Sequence, residues 1–244
     1  MAQPEFAVED VDFEAFYQGK PPIKEMGVSF DVAPWDIGEP QPALVALADS
    51  GLLHGEVLDA GCGLGNNSIF LAERGYRVTG VDGSATALDA ARQRAGEHGV
   101  EVEFLHSDVT TMLGVPARFH TVLDSALYHC LGEQGRSDYA AALHRVTEPG
   151  AQLHLFCFAD VDNAGFALPM TVSQDNLREH LGTHWKIRSI ELADYATAFT
   201  EDTLHRMGHE QLQRAGMTID PAAVSFDEQG RMLARVWQLH AERG

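Results

Sequence analysis

Positive charge is scarce in this chain: 17 Lys and Arg stand against 36 Asp and Glu, a formal net charge of −19. A surface of that sign repels phosphate backbones and anionic lipid, which argues against nucleic acid and membrane as partners. Cysteine is sparse as well. Cys62, Cys130 and Cys157 form no C-x-x-C pair and cannot all be paired with one another, which fits a reducing compartment without a disulfide framework or a metal site. Cys62 and Cys157 lie in apolar stretches and read as small core residues. No apolar run approaches the ~18 residues of a membrane span. The opening "MAQPEFAVEDVDFEAF" is acidic where a targeting peptide is basic. Low-complexity tracts and solenoid-period repeats are also missing, so a soluble cytoplasmic protein is expected.

What is present is an ordinary apolar fraction, 45% of 244 residues, enough for a sizeable core. Strand and helix patterns alternate along it. "EVLDAG", "YRVTGVD", "VEVEFLHSD", "FHTVLDS" and "AQLHLFCFAD" read as strands. Between them, "GNNSIFLAERG", "GSATALDAARQRAGEHG" and "DYAAALHRVTEPG" read as helices. In the second helix Ser84 is the expected N-cap, and Leu88, Ala91 and Ala95 share a face. After residue 160 follow a helix at "SQDNLREHLG", a strand at "WKIRSIEL", a helix at "EDTLHRMGHEQLQRAG" and a strand at "MLARVWQLHAER". The pattern predicts an α/β fold: a Rossmann-like, seven-stranded, mostly parallel sheet with helices on both faces and an antiparallel last strand. One domain is expected, with residues 1–40 as an aromatic-rich N-terminal lid, 41–160 as a ligand-binding core and 161–244 as the substrate side and closing strands.

In such sheets ligands bind beyond the carboxyl ends of the strands. There the chain places Gly61, Gly63 and Gly65, a strand-to-helix turn that brings backbone close to a ligand. Asn66 stands where a dinucleotide fingerprint wants its third glycine, and Asp59 precedes the first glycine by two residues. A carboxylate there suits an ammonium or sulfonium group better than a pyrophosphate. Asp82 ends the next strand, 21 residues past Gly61, where a carboxylate can accept both hydroxyls of a ribose. These features favour a cationic adenosine ligand without a diphosphate.

The segments "VLDAGCGLGN", "VTGVDGS", "FLHSDV" and "FHTVLDSALYHCL" resemble, in order and spacing, the successive motifs of class I S-adenosylmethionine-dependent methyltransferases. The resemblance covers about residues 30 to 160 and implies S-adenosylmethionine as cofactor and S-adenosylhomocysteine as product. By position it implies that Asp59, Gly61 and Gly63 border the methionine end. It likewise implies that Asp82 holds the ribose with Gly83 and Ser84 beside it, that Asp108 and Val109 flank the adenine, and that Asp124 and Ser125 lie along the far wall by their backbone. "PPIKEMGVSFDVAPWDIGEPQPALVAL" is similar to the N-terminal segment of the thiopurine- and thiol-methyltransferase-like branch, which implies Trp35 against the cofactor and Tyr17 nearby. "PWDIG" with "DSALYHCL" is similar to actinobacterial benzoquinone or heterocyclic-toxin methyltransferases, whose acceptors are quinolone-like rings.

Methyl transfer from a sulfonium needs alignment more than proton transfer, and positioning alone supplies on the order of 7 to 11 kcal/mol. If a base is used, His129 is the candidate, with Tyr128 as its orienting donor. Phe13, Phe16, Phe30, Phe158, Phe166 and Met170 are candidates for an apolar acceptor pocket. Three functions remain open: methylation of O or N on a small planar heteroaromatic or quinone-like acceptor in detoxification or quinone metabolism, S-methylation of a thiol or small nucleophile, and a cofactor-binding sensor.

Overall fold

The computed structural model describes residues 8–23, 32–161, 165–167, 170–214, 217–220 and 223–244. In chain order the elements are α1 (Phe13–Tyr17), α2 (Pro42–Asp49), β1 (Glu56–Ala60), α3 (Asn66–Glu73), β2 (Arg77–Asp82), α4 (Ala85–His98), β3 (Glu103–His106) and β4 (Phe119–Ser125). They continue with α5 (Glu133–Val146), β5 (Thr147–Phe158), β6 (Phe166–Ala167), α6 (Gln174–Leu181), β7 (Trp185–Thr200), α7 (Glu201–Arg214), β8 (Thr218–Ile219) and β9 (Arg231–Arg243).

Seven strands form one sheet in the order β3-β2-β1-β4-β5-β9-β7. The first five are parallel, and β9 runs antiparallel between β5 and β7. The order is set by burial on both faces. Val57, Leu123 and Phe156 pack with Leu44 and Leu71 from α2 and α3, whereas their neighbours Leu58, Val122 and Leu155 pack with Leu143 and Leu177 from α5 and α6. Successive residues of a strand point to opposite faces, so near-continuous apolar runs are what such a sheet requires. Leu88, Ala91 and Ala95 of α4 are buried against Phe104, Cys62 and Ile69, as their helical spacing predicts.

The expected elements are present with three differences. The helix expected over 138–150 starts at Glu133 and stops at Val146, where β5 begins at once. The strand at "WKIRSIEL" continues to Thr200, because β9 is long enough to pair with it as far as Arg231. Gly208, with φ 69 and ψ 163, breaks α7 into two pieces. Beyond the carboxyl end of β5, the end of β7 and the start of β9 build a cap with α7 and the two-stranded β6-β8 pair, its core formed by Phe166, Phe199, Leu204, Met217 and Met232.

The sheet reverses its direction of growth between β1 and β4, and register brings their ends level: Ala60 lies opposite Val81 on one side and Asp124 on the other. Such a switch point leaves a crevice where neither crossover covers the strand ends. Among the described residues no helix is long and apolar enough to cross a membrane.

Candidate active site

The turn after β1 is made of residues that only glycine replaces without strain. Gly61 and Gly63 have φ of 68° and 52°. A Cβ on Gly61 would lie 2.8 Å from Leu127, and one on Gly63 would lie 2.8 Å from the Tyr17 hydroxyl. The Tyr17 side chain is therefore seated on the turn, with no room between them for a side chain at Gly63.

Asp82, at the end of β2, bridges this turn to the next helix. One carboxylate oxygen accepts from Gly63 N and the other from Ser84 N, each at 2.8 Å. Ser84 caps α4 by accepting from Ala87 N at 3.0 Å. The same hydroxyl donates to Glu14 of α1, whose other oxygen accepts from Thr86 Oγ1. Those bonds favour the ionised Glu14 and pull its pKa to about 2, chiefly through Ser84. Trp35 completes the lid. Its indole N–H donates to Tyr17 at 3.1 Å, and its ring packs on Phe16 at 4.8 Å and on Phe13 at 6.1 Å. Asp36 pairs with Arg94 at 3.2 Å and accepts from Asn66 at 2.7 Å, fastening the segment to α3 and α4.

Together these parts enclose a cavity of about 330 Å³. Phe13, Glu14, Tyr17 and Trp35 come from the lid, Gly61 from the turn, Asp82 to Ser84 from the end of β2, Asp108 and Val109 from the end of β3, and Ser125 from β4. Of the cofactor residues implied by the resemblance, these line the wall. Gly63 lines a smaller space of about 50 Å³ that shares Trp35, Gly61 and Ser125 with the cavity. Asp59 does neither: it is buried behind the turn, accepting from Ser68 Oγ at 2.6 Å, and desolvation raises its pKa to about 7.

The segment after β4 sorts the remaining candidates. Asp124 is fully buried, accepting from Leu127 N at 3.0 Å, Tyr128 N at 3.3 Å and Tyr139 Oη at 2.9 Å, and burial holds its pKa near 7. Its carboxylate thus shapes the next turn, in which Ala126 has φ 75. Leu127, Cys130 and Leu131 share the side of that turn facing the cavity, as residues spaced by three and four do.

Tyr128 and His129 point elsewhere, which corrects the expected base and its orienting donor. The Tyr128 hydroxyl donates to Asn176 at 3.3 Å. His129 is 3% exposed, stacks on Phe158 at 4.2 Å, and accepts from Phe158 N through Nδ1 at 3.3 Å. Burial, helped by Arg136, lowers its pKa to about 3, too weak a base for chemistry near neutral pH. The acceptor-pocket candidates divide likewise. Phe13 lines the cavity, while Phe16 lies behind Trp35. Phe158 stacks on His129, Phe166 is buried in the cap core, and Met170, at φ 67, is not on the cavity wall. Phe30 lies outside the described residues. Glu14, Leu127, Cys130 and Leu131 line the cavity without having been expected to. The i, i+3, i+4 spacing in "SALYHCL" is the signal that could have found the last three.

A family model described as a methyltransferase domain matches residues 57–150. Over 186 residues the chain is 36% identical to 2-heptyl-1-hydroxyquinolin-4(1H)-one methyltransferase of Mycobacteroides abscessus, spanning 74% of this chain and 79% of that one. The chain belongs to the class I S-adenosylmethionine-dependent methyltransferases. Thiocyanate methyltransferase 1 of Brassica oleracea is 26% identical over 75% of the methyltransferase and 79% of its own length. A structure solved in work on the conversion of a disulfide bond into a thioacetal group during echinomycin biosynthesis is 32% identical, with a TM-score of 0.75 over 95% of the methyltransferase and 90% of that chain. The site fits the cofactor of this family on its own terms. Asp82 and Glu14 stand together on the cavity wall, and the charged group that acts on Asp82 is that second acid, so the wall favours a ligand that brings positive charge.

Burial holds the Asp82 pKa above 3.8, and a ligand that donates hydroxyls and carries positive charge favours the ionised form. Binding must then expel protons, so affinity for S-adenosylmethionine should fall as pH is lowered. Calorimetry in buffers of different ionisation enthalpy reads the proton count directly. Asp82→Ala should abolish binding, and retained micromolar affinity would remove Asp82 from the ribose. Tyr139→Phe leaves an Asp124 oxygen without its donor and should cost about 1–3 kcal/mol in urea unfolding. An unchanged midpoint would show that the bond contributes nothing.

Proposed function

We propose that the methyltransferase acts on an oxygen or nitrogen of a small planar heteroaromatic or quinone-like acceptor that arrives already ionised. The observation that carries this reading is the turn after β4, which faces Leu127, Cys130 and Leu131 to the cavity and His129 away from it. Burial pushes the Tyr17 hydroxyl and the Cys130 thiol up, so neither of these lining groups is a base at neutral pH. Of the remaining acids of the wall, Asp82 and Asp108 stand where the resemblance implies ribose and adenine, and Glu14 accepts from Ser84 and Thr86.

S-adenosylmethionine, when bound, supplies a methyl group on positively charged sulfur, so the donor needs no activation by the protein. The chain's own part is to hold and to exclude. Asp82 would take the ribose hydroxyls, and the Phe13, Tyr17 and Trp35 rings would close the mouth against water and offer flat surfaces to a ring. The similarity to a methyltransferase named for a hydroxyquinolinone supports an acidic N-hydroxyl or enol as the reacting group. A setting in detoxification or quinone metabolism and a cytoplasmic location belong to the same reading. So does the division into lid, cofactor core and substrate side. The Glu14, Trp35 and Asp36 contacts support the lid, and the cap cluster supports the substrate side. A second reading, S-methylation of a thiol or small anion, draws on the thiocyanate methyltransferase and equally needs no base.

Mass spectrometry of hydroxyquinolones, quinols, thiols and thiocyanate incubated with enzyme and cofactor should show a methyl gain on the ring compounds; gain on thiols or thiocyanate alone would select the second reading. Across ring acceptors of different acidity, the inflection in kcat/KM should follow each acceptor's own pKa. His129→Asn should change kcat only a few-fold, against the about 10²- to 10⁴-fold loss expected for a general base. An inflection fixed at one pH for every acceptor would restore a protein base.

A further inference from the structure

The smaller space beside the main cavity is built mostly from polar groups. Trp35 and Gln41 come from the lid side, Gly63 and Asn66 from the glycine turn, and Ser125 and Tyr195 from the ends of β4 and β7. Gln41 and Tyr195 stand outside residues 57–150, so the family model does not cover this wall.

Gln41 is 3% exposed and held from three directions. Its N–H donates to Asn67 Oδ1 at 3.2 Å, its carbonyl accepts from Val45 N at 3.0 Å, and its Nε2 donates to Ala196 O at 2.9 Å. The bond to a carbonyl fixes which end of the amide is nitrogen. Its remaining polar atom, Oε1, is buried and has no donor among the described residues. Buried acceptors are rarely left so, and one on the wall of an open space calls for a donor from outside the chain. Next to it, α3 begins at Asn66 behind Gly65, which has no side chain to cap the helix; Asp59 takes the Ser68 amide, and the Asn66 and Asn67 amides are left without a side-chain cap. Uncapped amides at a helix start take an anion. Across the space Ser125 Oγ and Tyr195 Oη bond each other at 2.8 Å, closing the far side.

An unmet acceptor and two uncapped helix amides beside it on one small space match a group carrying both an ammonium and a carboxylate. We propose that Gln41 Oε1 is the acceptor for the ammonium of the cofactor's amino-acid end, and that Gln41 is the positioning residue by which the enzyme distinguishes a complete cofactor from its adenosine fragment. This rests on the cofactor reading of the adjoining cavity. Gln41 would act through hold and orientation: taking the ammonium at one end, with Asp82 on the ribose at the other, it would restrain the sulfur between them.

The test is a cycle of ligands against one substitution. The folded enzyme is titrated with S-adenosylhomocysteine, its desamino analogue, its decarboxylated analogue and 5′-methylthioadenosine, alongside Gln41→Met, which keeps the side chain's length and removes the acceptor. In the parent enzyme, loss of the amino group should weaken binding about 10- to 100-fold, the range of a hydrogen bond to a charged donor. In Gln41→Met that penalty should shrink below about threefold, the decarboxylated analogue should weaken as S-adenosylhomocysteine does, and 5′-methylthioadenosine should bind as before. Equal weakening of all four ligands would mean that Gln41 merely props the lid and would overturn the proposal, as would an undiminished penalty. Where Gln41→Met does not fold, Gln41→Glu carries the test: it keeps an acceptor and adds charge, so it should widen the gap between S-adenosylhomocysteine and the desamino analogue. Failure of the parent enzyme to bind any of the four would sink the cofactor reading itself, an outcome distinct from a Gln41-independent penalty.

Discussion

The site hangs on one carboxylate. Asp82 takes the Gly63 amide with one oxygen and the Ser84 amide with the other, so the end of β2 fixes both the turn after β1 and the start of α4. Through Ser84 the same point reaches Glu14 and thereby the lid. A carboxylate this buried is costly without a counter-charge, and its neighbours Glu14 and Asp59 are acids as well. Such a grouping of acids favours a ligand that brings positive charge, in keeping with a chain of net charge −19.

Asp124 works in the same currency with a different result. It is as buried as Asp59, yet its oxygens accept from two backbone amides and the Tyr139 hydroxyl, so it shapes a turn and does not line the cavity. That turn decides the chemistry. With Ala126 in the left-handed region, the next residues wind so that alternate sides meet either the cavity or the protein interior. His129 falls on the interior side, where desolvation silences it.

How much of this is written locally explains what the sequence shows. The strand, glycine turn and helix from Val57 to Glu73, the Ser84 cap, and the buried face of Leu88, Ala91 and Ala95 rest on short-range periodicity and stereochemistry, and all are legible in the chain. The pairing of β6 with β8 and the extension of β7 to Thr200 depend on partners far along the chain and leave little local trace. The start of α5 is masked by Gly132 and Gly135, which read as loop residues. The direction of His129 could not be read from spacing in a strand-end motif, because it is set by the Asp124 bonds and not by the residue's own neighbours. Gln41 is the extreme case, since its partner carbonyl at Ala196 lies 155 residues away.

That last separation bears on how the molecule is made. The segment from Pro34 to Gln41 is synthesised before β7, yet Pro34 accepts from Ala198 N at 2.7 Å and Gln41 donates to Ala196 O, both on that strand. During synthesis its contacts with α3 and α4 can form early, but its docking on β7 waits until that strand has emerged, and the Gln41 bond then closes a separation of 155 residues. The glycine turn and Asp82 can be in place well before then. A nascent chain therefore acquires the charge of its site before it acquires the cover.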